Sequence, residues 1–303
     1  MSRKHLLVPI LLFSVVLPLS AQRGRFGQDR DLIPEGSRVE YRSFRSEALG
    51  QDVPYALYLP VSYQDSDETY PVLFFLHGAN ENEKRWSTRG LTDLMLDKMV
   101  QDDRIGEFVV AIPFGANSFY TNSVNGASWE DMVMQEFIPM IESEHRVVGT
   151  RAGRAISGIS MGGYGALKLG FQYPEMFNSV SAHSAMLLDD FGDAGIDPPR
   201  AQLYAALFDS IFGISESMEH WNLNNPLRMA RESADLDSLA IYFDCGTEDE
   251  YGFFTGAQQL HDDLEARNID HEFHLYPGTH GWDYARQHTA ASLLFHWDAF
   301  SQN

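Results

Sequence analysis

The sequence Gly-Ile-Ser-Met-Gly at 158–162 places a serine between two glycines at a spacing that suits nucleophilic catalysis. A sharp turn between a strand and a helix exposes such a serine hydroxyl, and the glycines remove side chains that would clash there. The following helix directs its positive end at the site, which favours a developing oxyanion. A short strand pattern precedes Ser160 and a helical stretch, 165–169, follows it. We therefore predict that Ser160 is a nucleophile.

A second motif, His77-Gly78-Ala79, follows the apolar run 72–76. After an early strand, the residue that follows such a His-Gly pair can donate a backbone N–H to an oxyanion, and the residue after the nucleophile donates the other. The predicted donors are Ala79 and Met161. The alternative is that His-Gly only turns the chain.

A serine is a poor nucleophile at neutral pH, so it needs a base, and the base needs an orienting carboxylate. In one common arrangement the chain order is Ser, acid, His. Most histidines after Ser160 lie within strand or helix patterns, whereas His280 lies in a loop after the last predicted strand. We predict His280 as the base. His183 follows the strand after the serine, and we expect it to line the pocket.

Several carboxylates compete for the role of the acid in the stretch that follows the apolar run 239–243. Glu248, Asp249 and Glu250 all lie beyond the turn at Gly246, ahead of a predicted helix. The spacing alone does not choose among these three.

The elements that must position these residues alternate along the chain. Strand patterns lie at 40–44, 53–59, 72–76, 108–112, 153–157, 177–182, 239–243 and 272–276, and some of them, such as 72–76, are continuous apolar runs. Helical periods lie between them, and the last predicted helix spans about 283–300. The alternation predicts an α/β fold with a mostly parallel sheet, an antiparallel start and helices on both faces. Sites in such sheets form beyond the carboxyl ends of the strands.

The first 21 residues predict a cleaved signal peptide. Arg3 and Lys4 precede an apolar run, 6–19, and the run ends in Leu-Ser-Ala at 19–21. The run is shorter than the ~20 residues that a spanning helix needs. We expect residues 22–36 to be a flexible lead-in and 37–303 to form one catalytic domain. The expected location is secreted or periplasmic, without stable membrane association after cleavage.

The composition excludes some partners. The 43 acidic and 22 basic side chains give a formal charge of −21, which repels phosphate backbones, so we expect no nucleic-acid partner. Cys245 is the single cysteine, so no intramolecular disulfide can form, and we expect a buried, inert thiol. No clear metal-ligand motif is present in the sequence, and the predicted chemistry needs no metal or organic cofactor.

Taken together, these segments resemble the esterase D-like family of α/β-hydrolases, which includes feruloyl esterases, S-formylglutathione hydrolases, short-chain acyl esterases and the antigen 85 mycolyltransferases. The matching segments, in family order from about residue 38, are 76–78, 117–122, 158–165, 246–249 and 278–280. The resemblance implies the α/β-hydrolase fold. It assigns the acid to Asp249 and supports Ala79 and Met161 as oxyanion donors.

The implied activity is hydrolysis of carboxylic esters, of short-acyl or hydroxycinnamoyl type, through Ser160, His280 and Asp249. The expected substrate is a small or polysaccharide-linked ester. An acyltransferase with an alcohol acceptor is the closest alternative, and a non-catalytic binding protein is a more distant one. The sequence departs most from the family over 184–231, where we predict a cap over the acyl pocket.

Overall fold

The computed structural model describes residues 38–189, 198–233 and 235–302. All of them fall within one compact unit, Pro34–Asn303. The predicted signal peptide and lead-in, 1–36, lie outside the described residues. In the described part of the chain, no helix combines the length and apolarity that a membrane span requires.

Eight strands form one sheet in the order β1-β2-β4-β3-β5-β6-β7-β8. Their bounds are β1 Arg38–Ser46, β2 Gln51–Leu59, β3 Val72–Leu76, β4 Val109–Pro113, β5 Arg154–Ile159, β6 Ser179–His183, β7 Ala240–Gly246 and β8 Glu272–Tyr276. The pairs β1–β2 and β2–β4 are antiparallel, and the remaining pairs are parallel. The antiparallel start and the mostly parallel sheet are therefore as predicted.

Helices follow the strands along the chain. Their bounds are α1 Arg85–Thr88, α2 Thr92–Gln101, α3 Trp129–Asp131, α4 Ile138–Glu144, α5 Met161–Gln172, α6 Pro198–Phe212, α7 Glu219–Asn224, α8 Pro226–Glu232, α9 Phe253–Ala266 and α10 Trp282–Ser301. A π-helical turn, Met132–Phe137, joins α3 to α4, so 129–144 is continuous helix.

Every residue of strand β3 is apolar and buried, so its sequence shows no alternation of apolar and polar residues. Val72, Phe74 and Leu76 pack into a core that includes α5, whereas Leu73 and Phe75 pack into a second core with α2 and α10. Successive side chains of a strand point to opposite faces. A strand covered by helices on both faces must therefore be apolar at every position.

A buried ion pair holds helix α5, which begins directly after Ser160. The ammonium of Lys168 is fully buried, contacts the Glu130 carboxylate and donates to the carbonyl oxygen of Tyr120 at 2.9 Å. Burial lowers the pKa of Lys168. Burial raises the pKa of Glu130, but the adjacent ammonium and the hydrogen bonds from Lys168, Tyr173 and Gln172 together outweigh it, and the net shift is downward. An unpaired charge here would be costly, so the pair ties α5 to α3.

Candidate active site

Ser160 is the single residue that connects strand β5 to helix α5, and it forms a strained turn. Its φ is +57°, a conformation that costs a non-glycine residue energy and persists only when its surroundings enforce it. Its backbone N–H donates to the carbonyl oxygen of His183 at 2.9 Å, and its own carbonyl accepts from Tyr164 at 3.0 Å. The turn leaves the Ser160 side chain partly exposed at the carboxyl edge of the central strands.

Three distant segments meet at this edge. The Nε2 atom of His280 lies 3.0 Å from Ser160 Oγ, and its Nδ1 atom lies 2.7 Å from Asp249 Oδ2. An ionised carboxylate can only accept a hydrogen bond, so the network assigns the proton to Nδ1. Nε2 is then left to accept from the serine hydroxyl. The structure thus connects the three residues predicted as nucleophile, base and acid in one row.

Asp249 and its two acidic neighbours occupy different environments. The Asp249 side chain is inaccessible to solvent, and its Oδ1 accepts from the N–H of Tyr251 at 2.9 Å. Glu250 instead accepts from the backbone N–H of His280 at 3.0 Å, and Glu248 is exposed. Of these three carboxylates, the one that meets the imidazole is therefore that of Asp249.

The ring of His280 is fixed by two aromatic neighbours. Tyr251 and Phe253 meet it edge-on, with ring centroids 4.8 and 5.4 Å away. Both neighbours follow Asp249 closely along the chain, Tyr251 in the loop and Phe253 as the first residue of α9. One segment of chain therefore supplies the carboxylate and the packing that together set the orientation of the imidazole.

A cleft opens to solvent beside Ser160. Its lining includes both predicted oxyanion donors, Ala79 and Met161. Much of the remaining wall is apolar or aromatic, formed by Phe119, Ile159, Met186, Tyr251, Phe253 and Trp282. Such a mixture of apolar wall and few polar groups is typical of small-molecule sites.

The predicted cap stretch, 184–231, contributes Met186 to the cleft wall. Further along, the ring of Phe208 packs 5.2 Å from that of Phe119, and Trp221 stacks on Tyr164 at 5.9 Å. Phe191 of this stretch lies outside the described residues. The described part of the stretch thus packs against Phe119, which lines the cleft. The role of the stretch as a cap stays a prediction.

The wall formed by Trp282 is held by a carboxylate. The indole N–H of Trp282 donates to Glu81 at 2.6 Å, and both residues line the cleft. Burial raises the pKa of Glu81. This contact joins the start of α10 to the loop that follows β3, and therefore ties the two sides of the cleft together.

His77 lies beneath the loop that carries Ala79. The N–H of Gly115 donates to His77 Nε2 at 2.9 Å, so Nδ1 carries the proton and donates to the carbonyl oxygen of Gly78 at 2.8 Å. In a trans peptide the carbonyl and the next N–H point in opposite directions. The Ala79 N–H therefore points away from the buried imidazole. Burial lowers the pKa of His77 to about 4, which keeps this ring neutral.

A second Ser–His–Asp row is buried between the sheet and α10, and no sequence pattern predicted it. His183 Nδ1 is 2.8 Å from Asp244 Oδ2, and His183 Nε2 is 2.8 Å from Ser292 Oγ. All three residues are at most 2% exposed. The expectation that His183 lines the pocket is wrong, because its ring lies among β6, β7 and α10 instead. A substrate cannot reach this row.

The comparisons with known proteins agree with this architecture. A model of the family described as "Putative esterase" matches residues 46–295. This chain belongs to that esterase family. The predicted resemblance is therefore confirmed, and the fold of this family member is the predicted α/β-hydrolase fold.

Individual relatives of this esterase-family chain cover most of it. Esterase Rv1288 of Mycobacterium tuberculosis is 30% identical in an alignment of length 270 that covers 80% of this chain and 56% of that protein. The chain thus spans little more than half the length of that relative. An acetyl esterase of Caldicellulosiruptor saccharolyticus is 26% identical over 84% of this chain and 96% of its own. A solved ferulic acid esterase superposes with a TM-score of 0.74 at 27% identity, covering 87% of this chain and 98% of its own.

Proposed function

We propose that this protein hydrolyses carboxylic esters through a covalent acyl-enzyme formed on Ser160. The observation that carries the proposal is the continuous row of hydroxyl, imidazole and buried carboxylate that opens into the cleft. Such a row activates a serine because the base removes its proton as the hydroxyl attacks, and the carboxylate stabilises the imidazolium that results.

The first half-reaction transfers the acyl group to the enzyme. Ser160 Oγ attacks the ester carbonyl carbon while His280 Nε2 takes the hydroxyl proton. The tetrahedral intermediate then collapses, the bond to the alcohol oxygen breaks, and His280 returns the proton to that oxygen. In the second half-reaction, His280 takes a proton from water as the water oxygen attacks the acyl carbon. The bond from that carbon to Ser160 Oγ then breaks, the free acid leaves, and His280 returns the proton to Ser160.

The developing negative charge needs fixed hydrogen-bond donors. Met161 is the first residue of α5, so its N–H has no acceptor within the helix. Ala79 supplies the second N–H, from a peptide that His77 orients through the Gly78 carbonyl. Both residues line the cleft beside Ser160, which supports the pair as the oxyanion hole.

The walls of the cleft and the relatives together favour short-acyl or hydroxycinnamoyl esters. Phe119, Met186 and Trp282 offer flat or flexible apolar surfaces to an acyl group. Two relatives of this chain are an acetyl esterase and a ferulic acid esterase. We propose that the natural substrate is an ester of one of these acids, carried on a small alcohol or a polysaccharide.

A substrate screen with matched variants tests the proposal. Purified protein is assayed on p-nitrophenyl acetate to octanoate, methyl ferulate and acetylated xylan, beside Ser160→Ala. We expect hydrolysis of at least one ester by the wild type and a loss of at least 10⁴-fold in the variant. A fluorophosphonate label should attach to Ser160. A folded wild type that takes up no label would instead support a binding protein that retains the fold.

Product analysis separates hydrolysis from acyl transfer. Water and an alcohol can attack the same acyl-enzyme, so the assay is repeated with glycerol or a monosaccharide as acceptor. We expect free acid as the main product in both cases. If the transferred ester dominates at millimolar acceptor, the protein is an acyltransferase with the same catalytic residues.

We also propose that the protein is exported, with residues 1–21 removed. The basic start, the apolar run 6–19 and the small residues before Gln22 support this proposal. Expression with the native N-terminus in a Gram-negative host should yield mature protein in the periplasm or medium, and sequencing should begin at Gln22. Unprocessed protein retained in the cytoplasm would contradict it.

A further inference from the structure

Three side chains of metal-ligating type converge on one partly exposed face, outside the residues that line the cleft. His261 and Glu265 lie four residues apart on α9, so they project from the same side of that helix. His271 lies in the segment just before β8. One ligand atom from each of these residues lies within 4.8 Å of the other two. None of the three is buried, so an ion can enter from solvent.

The hydrogen bonds of His271 prepare it as a ligand. Its Nδ1 lies 2.8 Å from the carbonyl oxygen of Ile269, which can only accept, so Nδ1 carries the proton. Its Nε2 therefore presents a lone pair, and it faces His261 Nδ1 at 2.8 Å. Histidines that bind metals characteristically donate their other ring N–H to a carbonyl or carboxylate in this way.

The imidazole of His261 can also present a lone pair, from Nδ1, toward the space that His271 Nε2 faces. In the metal-free arrangement, the network assigns a proton to His261 Nδ1, which donates it to His271 Nε2. If the proton of His261 resides on Nε2 instead, both facing nitrogens are free to bind one cation. A metal ion would then replace the shared proton between the two imidazoles.

Aromatic neighbours hold both rings in position. His261 stacks on Phe273 with centroids 4.8 Å apart, and His271 stacks on Phe243 at 5.7 Å. The two phenylalanines stack on each other at 5.0 Å. The imidazoles thus rest on a connected aromatic layer, which reduces the entropy that a ligand set must lose on binding.

We propose that His261, Glu265 and His271 form a zinc site, with water as the fourth ligand. Two imidazole nitrogens and one carboxylate are an established donor set for tetrahedral zinc with an open position. Bonds of 2.0–2.1 Å in a tetrahedron place neighbouring ligand atoms about 3.4 Å apart. The imidazoles must separate by roughly half an ångström from 2.8 Å, and the exposed Glu265 side chain must approach.

The bound ion would cross-link α9 to the start of β8. Helix α9 follows the loop of Asp249, and β8 leads into the loop of His280. The five residues of β8 span roughly 16 Å, so His271 and His280 lie beyond opposite ends of this strand. We therefore expect zinc to stabilise the fold without taking part in chemistry in the cleft. This inference does not depend on the proposed function.

The test uses the full chain, with any purification tag removed and metals stripped by a chelator. Calorimetric titration with Zn²⁺ should show one tight equivalent, and the melting temperature should rise with zinc concentration until the site is saturated. His261→Ala, His271→Ala and Glu265→Gln should each weaken binding at least tenfold. His274→Ala, on β8 three residues from His271, is the matched control and should retain wild-type affinity.

Two outcomes would overturn the proposal. One is the absence of saturable binding up to millimolar zinc in folded protein. The other is binding that survives in His261→Ala and His271→Ala but is lost in His280→Ala, which would place the ion in the cleft. Glu265 is exposed, so Glu265→Gln keeps the test valid even where a histidine variant misfolds.

Discussion

A Cβ atom built on Gly162 would lie 1.9 Å from the carbonyl oxygen of Leu76, far inside any van der Waals contact. Leu76 ends β3, the strand that leads into the loop of Ala79, whereas Gly162 lies in the first turn of α5, next to Met161. Their close approach sets the start of α5 against the end of β3, and both proposed oxyanion donors line the cleft beside Ser160. The glycine is therefore required by backbone contact, because no side chain fits between the helix and the strand.

Gly162→Ala should impair both folding and activity. The added methyl group must displace backbone atoms of β3 or α5, which we expect to cost about 1–3 kcal/mol of unfolding free energy. It should also lower kcat/KM at least 100-fold, because small displacements of catalytic groups are expensive. Urea unfolding and ester hydrolysis measure the two effects.

Gly149→Ala is the control for Gly162→Ala. The nearest atom to a Cβ built there is 3.8 Å away, and the φ of Gly149 is not positive. We expect it to retain wild-type activity. Equal behaviour of the two variants would show that the contact with Leu76 does not constrain the site.

Asp249→Asn should lower kcat about 10³- to 10⁴-fold while leaving the fold intact. The amide can donate to Nδ1 of His280 and so stabilise the unproductive tautomer, in which Nε2 carries the proton. Glu248→Gln is the matched control, since that carboxylate is exposed on the same loop, and it should change kcat less than twofold. A larger loss in Glu248→Gln than in Asp249→Asn would reject the assignment of the acid.

The sequence located two strands to the residue. The bounds of β3, which is buried throughout, and of β8, which is half-buried or exposed, agree with the strands predicted at 72–76 and 272–276. The strand predicted at 153–157 instead spans Arg154–Ile159. Its last residues, Gly158 and Ile159, pair with Ala182 and His183 on the neighbouring strand. A glycine carries no apolar signal, so this extension depends on a partner strand that a local pattern cannot show.

Contacts between distant segments were beyond local reasoning. Spacing left Glu248, Asp249 and Glu250 equivalent, because the choice depends on which carboxylate faces a loop some thirty residues further along the chain. His183 contacts Ser292, which is 109 residues further along the chain, and no local pattern could predict a contact over that separation. In the sequence, His261 and Glu265 are an ordinary pair on the surface of a helix. Only the fold places His271 beside them.

Ser292→Ala should leave ester hydrolysis within about threefold of the wild type. Ser292, His183 and Asp244 have the spacing of a catalytic row, but Ser292 is only 2% exposed. Asp244 also accepts from the hydroxyls of Tyr242 at 3.0 Å and Tyr284 at 2.9 Å. This network is therefore structural, and the loss of the buried hydrogen bonds from Ser292 to His183 and Thr289 should cost about 1–3 kcal/mol.

Labelling separates the two serines. A fluorophosphonate should modify Ser292→Ala as fast as the wild type and should fail to modify Ser160→Ala. Mass spectrometry of digested protein identifies the labelled residue. A label found on Ser292 would show that the interior opens to solvent, and it would contradict the structural role assigned to this row.

Protein stability should fall as the pH drops from 7 to 5, because two buried histidines are kept neutral by the fold. Burial lowers the pKa of His77 to about 4 and that of His296 to about 3. In the unfolded chain, histidines titrate near 6.5. Between these values the unfolded state binds more protons, so the unfolding free energy is highest above pH 6.5 and decreases below it. At pH 5 the loss is about 2 kcal/mol for each histidine.

A pair of variants isolates the contribution of His296, whose Nδ1 lies 2.7 Å from the Ser179 hydroxyl and whose Nε2 lies 2.8 Å from that of Ser181. His296→Gln removes the titrating ring, so the dependence of unfolding free energy on pH should become shallower by nearly one proton between pH 6 and 5. Ser179→Ala destabilises the same contact but keeps the imidazole, so it should retain the wild-type slope. Urea unfolding at pH 7, 6 and 5 measures all three proteins. An unchanged slope in His296→Gln would mean that this ring is already protonated in the native protein, and it would contradict the burial that the structure shows.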